Sequence, residues 1–170
     1  VMIESQFPAE LNGLFKNLET KGNPWGMNQN GRTAWIEEVQ FPVRVFGMEG
    51  EDKIPADVEY LFWVGCAGAY DDRAKKTTKA VAELLHTAGI NFMVLGEGES
   101  CTGDPARRAG NEFLFQMQAQ QNVEVLNEVG AKKIVVTCPH CMNTIAREYP
   151  QLGGNYEVVH HTQLLNELVS

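Results

Sequence analysis

The sequence predicts an α/β sandwich on a short parallel sheet of about four strands, preceded by a mostly helical and irregular extension. Three observations carry this. From residue 58 onward, short apolar runs alternate four times with stretches of helical period. The apolar runs are continuous, as expected for strands covered on both faces. Gly89 and Gly130 stand where the helical periods stop. Right-handed crossovers between such strands give a Rossmann- or flavodoxin-like sandwich.

Residues 1–57 read as an extension or docking segment, and residues 58–170 as the α/β domain. In the extension, Pro8 to Lys21 carries Leu11, Leu14, Phe15 and Leu18 on one helical stripe, and Gly22 ends it. Asn23-Pro24-Trp25-Gly26 is turn-rich, a short helix is expected near Arg32 to Val39, and Gly47 to Asp52 is a polar break. In the domain, Val58 to Val64 is the first strand. Asp72 to Ala88 is a helix, with Ala74, Val81, Leu84, Leu85 and Ala88 on its apolar side. Asn91 to Leu95 is the second strand and Asn111 to Val129 a long helix striped by Phe115, Ala119, Val123 and Leu126. Lys133 to Thr137, a helix over Pro139 to Tyr149, Tyr156 to Val159 and a closing helix from Thr162 complete the alternation. Asp104-Pro105 is a further helix start.

A chain of 170 residues buries a core without staples. Its net charge of −8 argues against a nucleic-acid partner and suits a protein partner with a basic face. No apolar run is long enough to span a bilayer, and no charged-then-apolar leader is visible. The start at Val1 reads as a cut within a longer polypeptide. With four cysteines the chain is no disulfide scaffold. No Ser-His-Asp set, phosphate-binding P-loop or dinucleotide fingerprint stands out.

The position of the cysteines is the informative feature. Cys66 follows the first strand, Cys101 the second, Cys138 and Cys141 the third. In a parallel sheet the C-terminal strand ends share one edge, where open α/β sheets bind ligands. Residues spread over 76 positions should therefore converge there. Three chemistries suit them. Cys138-Pro139-His140-Cys141 at a helix start is a redox-active dithiol arrangement. Four thiolates also suit a structural zinc, though only one short C-x-x-C knuckle is present. An iron–sulfur cluster uses about four thiolates and accepts ligands from separate loops.

The spacing distinguishes among these by resemblance. There are 33 residues between Cys66 and Ser100 and 36 between Cys101 and Cys138, followed by C-x-x-C. Together with Val64-Gly65-Cys66-Ala67-Gly68, Cys101 to Glu112 and Cys138 to Thr144, this resembles the cysteine-rich CCG domain of heterodisulfide-reductase-like iron–sulfur oxidoreductases. Within that group it is most similar to the C-terminal part of electron-transfer-flavoprotein-dehydrogenase-like iron–sulfur oxidoreductases. Gly22-Asn23-Pro24-Trp25-Gly26 resembles the segment joining a ferredoxin-like domain to the first CCG domain.

The resemblance implies an electron-transfer module in which Cys66, Cys101, Cys138 and Cys141 bind a [4Fe-4S]-type cluster. The alternatives are a structural zinc or interaction domain and a C-x-x-C thiol–disulfide domain. The family's Cys-Cys-Gly is here Ser100-Cys101-Thr102-Gly103, so a four-ligand cubane or zinc fits better than a larger cluster. The implied partners are the ferredoxin-like domain of the parent chain and electron-transfer flavoprotein. No nucleic acid is expected, and the implied location is cytoplasmic, with any membrane association made through the parent. No substrate is expected to be transformed by side-chain acid–base chemistry.

Around the centre, Ser100 is expected to hydrogen-bond its loop, with oxygen ligation as the alternative. His140 is expected either to tune a sulfur or simply to be exposed. For His160 and His161 a helix-capping or solvent-facing role is the default expectation, with one of them near the cluster as the alternative. Arg107 is expected to favour the more negative, reduced state, with a salt bridge to Glu112 as the alternative.

Overall fold

The computed structural model describes residues 9–48, 50 and 52–169. The Val1 terminus, Pro8, and Glu49 and Glu51 of the polar break lie outside the described residues. The strands are β1 (Arg44–Val45), β2 (Tyr60–Trp63), β3 (Phe92–Val94), β4 (Lys133–Val136) and β5 (Glu157–His160). All pairings are parallel, in the order β1-β3-β2-β4-β5. Four strands match the expected apolar runs. The fifth, β1, comes from the segment read as an extension, and pairs Arg44 with Met93 and Val45 with Val94. Two residues carry no periodic signal, so the edge strand follows from tertiary pairing alone.

The chain leaves β2, adds β3 on one side, and then crosses to place β4 on the other. That reversal makes the β2/β4 boundary a topological switch point, where a crevice opens at the C-terminal strand ends. In register there, Trp63 faces Val136, and Val136 faces His160.

Strand alternation divides the core into two layers. Leu61, Trp63, Ile134 and Val136 face α1 (Ala9–Lys21) and α5 (Glu112–Val129), with Phe15, Leu18, Leu114, Phe115 and Leu126. Phe62, Val64 and Val135 face the other way, against Trp35, α3 (Asp72–Thr87) and α7 (His161–Leu168), through Val81, Leu85 and Leu164. Each such fully buried Leu or Phe contributes roughly 1.5–3 kcal/mol relative to exposure. Residues before position 58 are part of both layers: α1 lies in one and Trp35 in the other.

Helix ends follow local chemistry. Asp71 accepts from the Ala74 N–H at 2.9 Å and Asn111 from the Leu114 N–H at 3.1 Å, capping α3 and α5. The helix expected from Arg32 to Val39 is a 3-10 segment over Gln29–Glu38. The helix expected over 139–149 is divided into α6 (Pro139–Asn143), a π turn (Thr144–Glu148) and a 3-10 turn (Tyr149–Leu152). Pro150 has no N–H to continue an α ladder. Two short helices remain, α2 (Gly65–Tyr70) and α4 (Asp104–Arg108). The sequence does not announce α2, because a six-residue glycine-bearing turn has no readable stripe. No helix among the described residues is long and apolar enough to cross a membrane.

Candidate metal centre

The four cysteines converge. Cys66 is the second residue of α2, directly after β2. Cys101 lies in the loop between β3 and α4, Cys138 caps α6 and Cys141 lies within it. All four line one cavity of about 160 Å3 with Pro24, Trp25, Trp63, Gly65 and His140. A neighbouring cavity of about 210 Å3 shares Gly65, Cys66, Cys138 and Cys141. All four are free cysteines. A groove of about 810 Å3 lies at the opposite strand ends, and no cysteine lines it.

The sequence explains this approach. Gly65 sits at φ +82°, in the left-handed region. This turns the chain from β2 into α2 and leaves room beside Cys141, whose Sγ would lie 3.6 Å from a Cβ at position 65. The Gly65 and Val64 N–H groups donate to the carboxylate of buried Glu99, at 2.5 and 3.1 Å. The Cys101 loop is held from below: Asn122 Nδ2 donates to the Cys101 carbonyl at 2.8 Å, and Tyr149 Oη donates to the Thr102 carbonyl at 2.9 Å.

The thiols influence one another in two pairs, Cys66 with Cys101 and Cys138 with Cys141. In the first pair, the Cys101 thiol and then the Arg32 charge hold the Cys66 pKa below its usual value, against burial. The Cys101 pKa is pushed well up by its bond to Cys66 and by burial. In the second pair, Cys138 is lowered to about 5, chiefly by the Cys141 thiol and then by the Cys141 and His140 N–H groups. Cys141 is pushed well up by its bond to Cys138 and by burial. Thiolate is the form that binds metal, and in each pair one pKa is shifted toward it, that of Cys66 in the first and of Cys138 in the second. Among the described residues, no three side chains already surround a single metal point.

Two groups at this edge carry no motif and are not predicted by the sequence. Arg32, from the extension, is buried, and its Nη2 lies 3.2 Å from Cys66 Sγ. Glu99 is buried and pairs with Arg32 at 3.6 Å. A charged residue in sequence reads as a solvated one, and only the fold shows otherwise. Trp63 reads in sequence as a packing residue. It is one, but it also lines the cysteine cavity, and its buried indole N–H has no partner among the described residues.

The other expected neighbours are placed as follows. Ser100 Oγ donates to the Gly22 carbonyl at 3.4 Å. His140 lines the cavity, and its Nδ1 accepts from Arg108 at 2.8 Å. His160 caps α7, with Nδ1 2.8 Å from Thr162 Oγ1 and Nε2 3.0 Å from the Thr137 carbonyl. His161 lies next to Val136, its pKa lowered by burial and by His160. Neither His160 nor His161 lines the cysteine cavity. Arg107 pairs with Glu148 at 2.9 Å and Glu112 at 3.9 Å and lies over the Phe115 ring.

Residues 60–146, half of the chain, match the CCG cysteine-rich domain. The chain belongs to the CCG family. This CCG chain is 44% identical over its full length to an EtfAB:quinone oxidoreductase of Syntrophomonas wolfei, and spans 23% of that protein. It is 41% identical, over 99% of its length, to a probable iron-sulfur-binding oxidoreductase, FadF, of Bacillus subtilis, and spans 24% of it. It is 33% identical, over 86% of its length, to a dihydromethanophenazine:CoB–CoM heterodisulfide reductase polypeptide of Methanosarcina barkeri, and spans 34% of that polypeptide. The CCG chain thus spans between about a quarter and a third of the relatives it matches. No solved structure matches it.

Proposed function

We propose that this CCG chain is an electron-transfer module of a larger iron–sulfur oxidoreductase. In this reading Cys66, Cys101, Cys138 and Cys141 hold a [4Fe-4S]-type cluster at the C-terminal edge of the sheet. The observation that carries it is the single cavity lined by sulfur from three separate strand ends. Two further features fit the group. Trp63 lines the same cavity and its buried indole N–H has no acceptor among the described residues, and cluster sulfide is an acceptor. The donor set is all sulfur, with the pKa of Cys66 and of Cys138 lowered toward the thiolate form.

When bound, the cluster accepts and releases one electron. The protein's residues do the rest. The cysteines anchor it, Gly65 leaves room for it, and Glu99 and Asn122 hold the loops that present the thiols. The buried Trp63 side chain walls the cavity on the sheet side.

We assign residues 58–170 as the cysteine-bearing domain and 1–57 as the segment that joins it to the rest of the parent. The names of the relatives support a parent carrying further iron–sulfur groups and electron-transfer flavoprotein as an electron donor. The cytoplasmic side is the implied location, with membrane association through the parent.

The test is to load the chain anaerobically with iron and sulfide and follow visible absorption during reduction. A cluster-type absorption that bleaches reversibly, and is lost when Cys66, Cys101, Cys138 or Cys141 is replaced by Ser, is the expected result. A colourless chain that binds zinc would overturn the redox reading.

A further inference from the structure

We infer that Arg32 sets the reduction potential of the cysteine-held centre, as a charged hydrogen-bond donor supplied by the N-terminal segment. The inference rests on the iron–sulfur reading above. Arginine is seldom fully buried unless paired; Arg32 is 2% exposed. Each part of its guanidinium is fixed. Nε donates to Gln29 Oε1 at 2.9 Å, and Nη2 donates to the Gly22 carbonyl at 3.1 Å and to Cys66 Sγ at 3.2 Å. Nη1 makes no hydrogen bond but faces Glu99 at 3.6 Å.

A role in charge balance alone would not need this aim. Glu99 offsets the charge, yet its carboxylate is already bonded to the Val64 and Gly65 N–H groups. That leaves Nη2 directed at the sulfur. Gln29 fixes the orientation: its Nε2 donates to the Glu97 and Glu99 carbonyls at 3.0 and 2.8 Å while its Oε1 holds Arg32. The other cations of this edge are engaged elsewhere. Arg107 is taken by Glu148 and Glu112, and Arg108 by Asp104 and His140. Among the described residues, Arg32 is the cation hydrogen-bonded to a cysteine sulfur.

A positive charge and an N–H on a ligand sulfur stabilise the more negative, reduced form of a cluster. Arg32 therefore raises the potential. Because it is carried by the extension rather than by the four-cysteine segment, displacement of the extension would lower the potential as well.

The experiment measures the midpoint potential of the iron- and sulfide-loaded 170-residue chain and of Arg32→Gln, Arg32→Lys and Gln29→Met, with folding checked by circular dichroism. At a fixed ambient potential, Arg32→Gln should be about tenfold more oxidised than wild type, about 59 mV for one electron. Arg32→Lys, which keeps the charge without the fork, and Gln29→Met, which loosens the guanidinium, should each shift by about threefold in the same direction. If Arg32→Gln does not fold, Gln29→Met and Arg32→Lys decide the matter. Wild-type midpoints in the folded, loaded variants would overturn the inference and leave the iron–sulfur reading standing. A folded Arg32→Gln chain that loses iron, with Gln29→Met at the wild-type midpoint, would also overturn it. A wild-type chain that takes up no iron and sulfide overturns both.

Discussion

The carbonyl oxygen of Gly22 accepts the N–H of Cys101 at 2.8 Å. The same oxygen accepts Arg32 Nη2 at 3.1 Å, Ser100 Oγ at 3.4 Å and, more distantly, Cys66 Sγ at 3.7 Å. One peptide group at the end of α1 therefore organises two of the four cysteine positions. It can do so because Gly22 takes φ +71°, which turns its carbonyl inward.

The first prediction concerns that turn. Gly22→Ala would place Cβ in a left-handed backbone, 2.7 Å from Ser100 Oγ. The backbone term alone costs about 1–2 kcal/mol. Urea unfolding should show a lower midpoint with an unchanged slope. Adding Ser100→Ala should recover part of the loss, because it removes the atom that Cβ meets. Strict additivity of the two changes would contradict this contact.

Support beneath Cys101 gives a second. Asn122 Nδ2 bridges the Cys101 carbonyl at 2.8 Å and Tyr149 Oη at 3.1 Å in a buried site. Asn122→Leu leaves that carbonyl without its donor, at a cost of about 1–3 kcal/mol. Thermal unfolding of the metal-free chain should register the loss. A wild-type melting temperature would show that the bridge contributes nothing.

Thiol reactivity supplies the pH prediction. Cys138 is lowered to about 5, first by the Cys141 thiol and then by two backbone N–H groups. A lowered thiol pKa means the reactive thiolate is present above that value and is lost as pH falls through it. In the metal-free chain, alkylation of Cys138 should be nearly flat from neutral pH down to about 6, and then fall. Cys141→Ala removes the largest cause, so the inflection should move toward the ordinary thiol value of about 8.5. An inflection already near that value in the wild type would contradict the assignment.

Much of this architecture was legible in the sequence because burial writes itself into pattern. Leu61, Phe62 and Trp63 form an unbroken apolar run since both faces of β2 are covered, and Gly130 marks the end of α5 by its left-handed φ. The convergence of cysteines followed from parallel topology alone. What stayed hidden depends on contacts distant in sequence. Arg44 and Val45 become a strand only by pairing with Met93 and Val94. Arg32 and Glu99 carry no motif, and only the fold shows that both are buried. Arg107, the cation expected near Cys101, instead pairs with Glu148, which arrives from the turn after α6. His160 takes its default role as a helix cap.

The central claim is that the four cysteines hold an iron–sulfur cluster. The most direct measurement is iron, acid-labile sulfide and zinc per chain after anaerobic purification. The account predicts about four iron and about four sulfide per chain, falling sharply in Cys66→Ser and Cys138→Ser. One zinc per chain with no sulfide would contradict it, and would make the convergence of thiols at the β2/β4 edge a structural metal site.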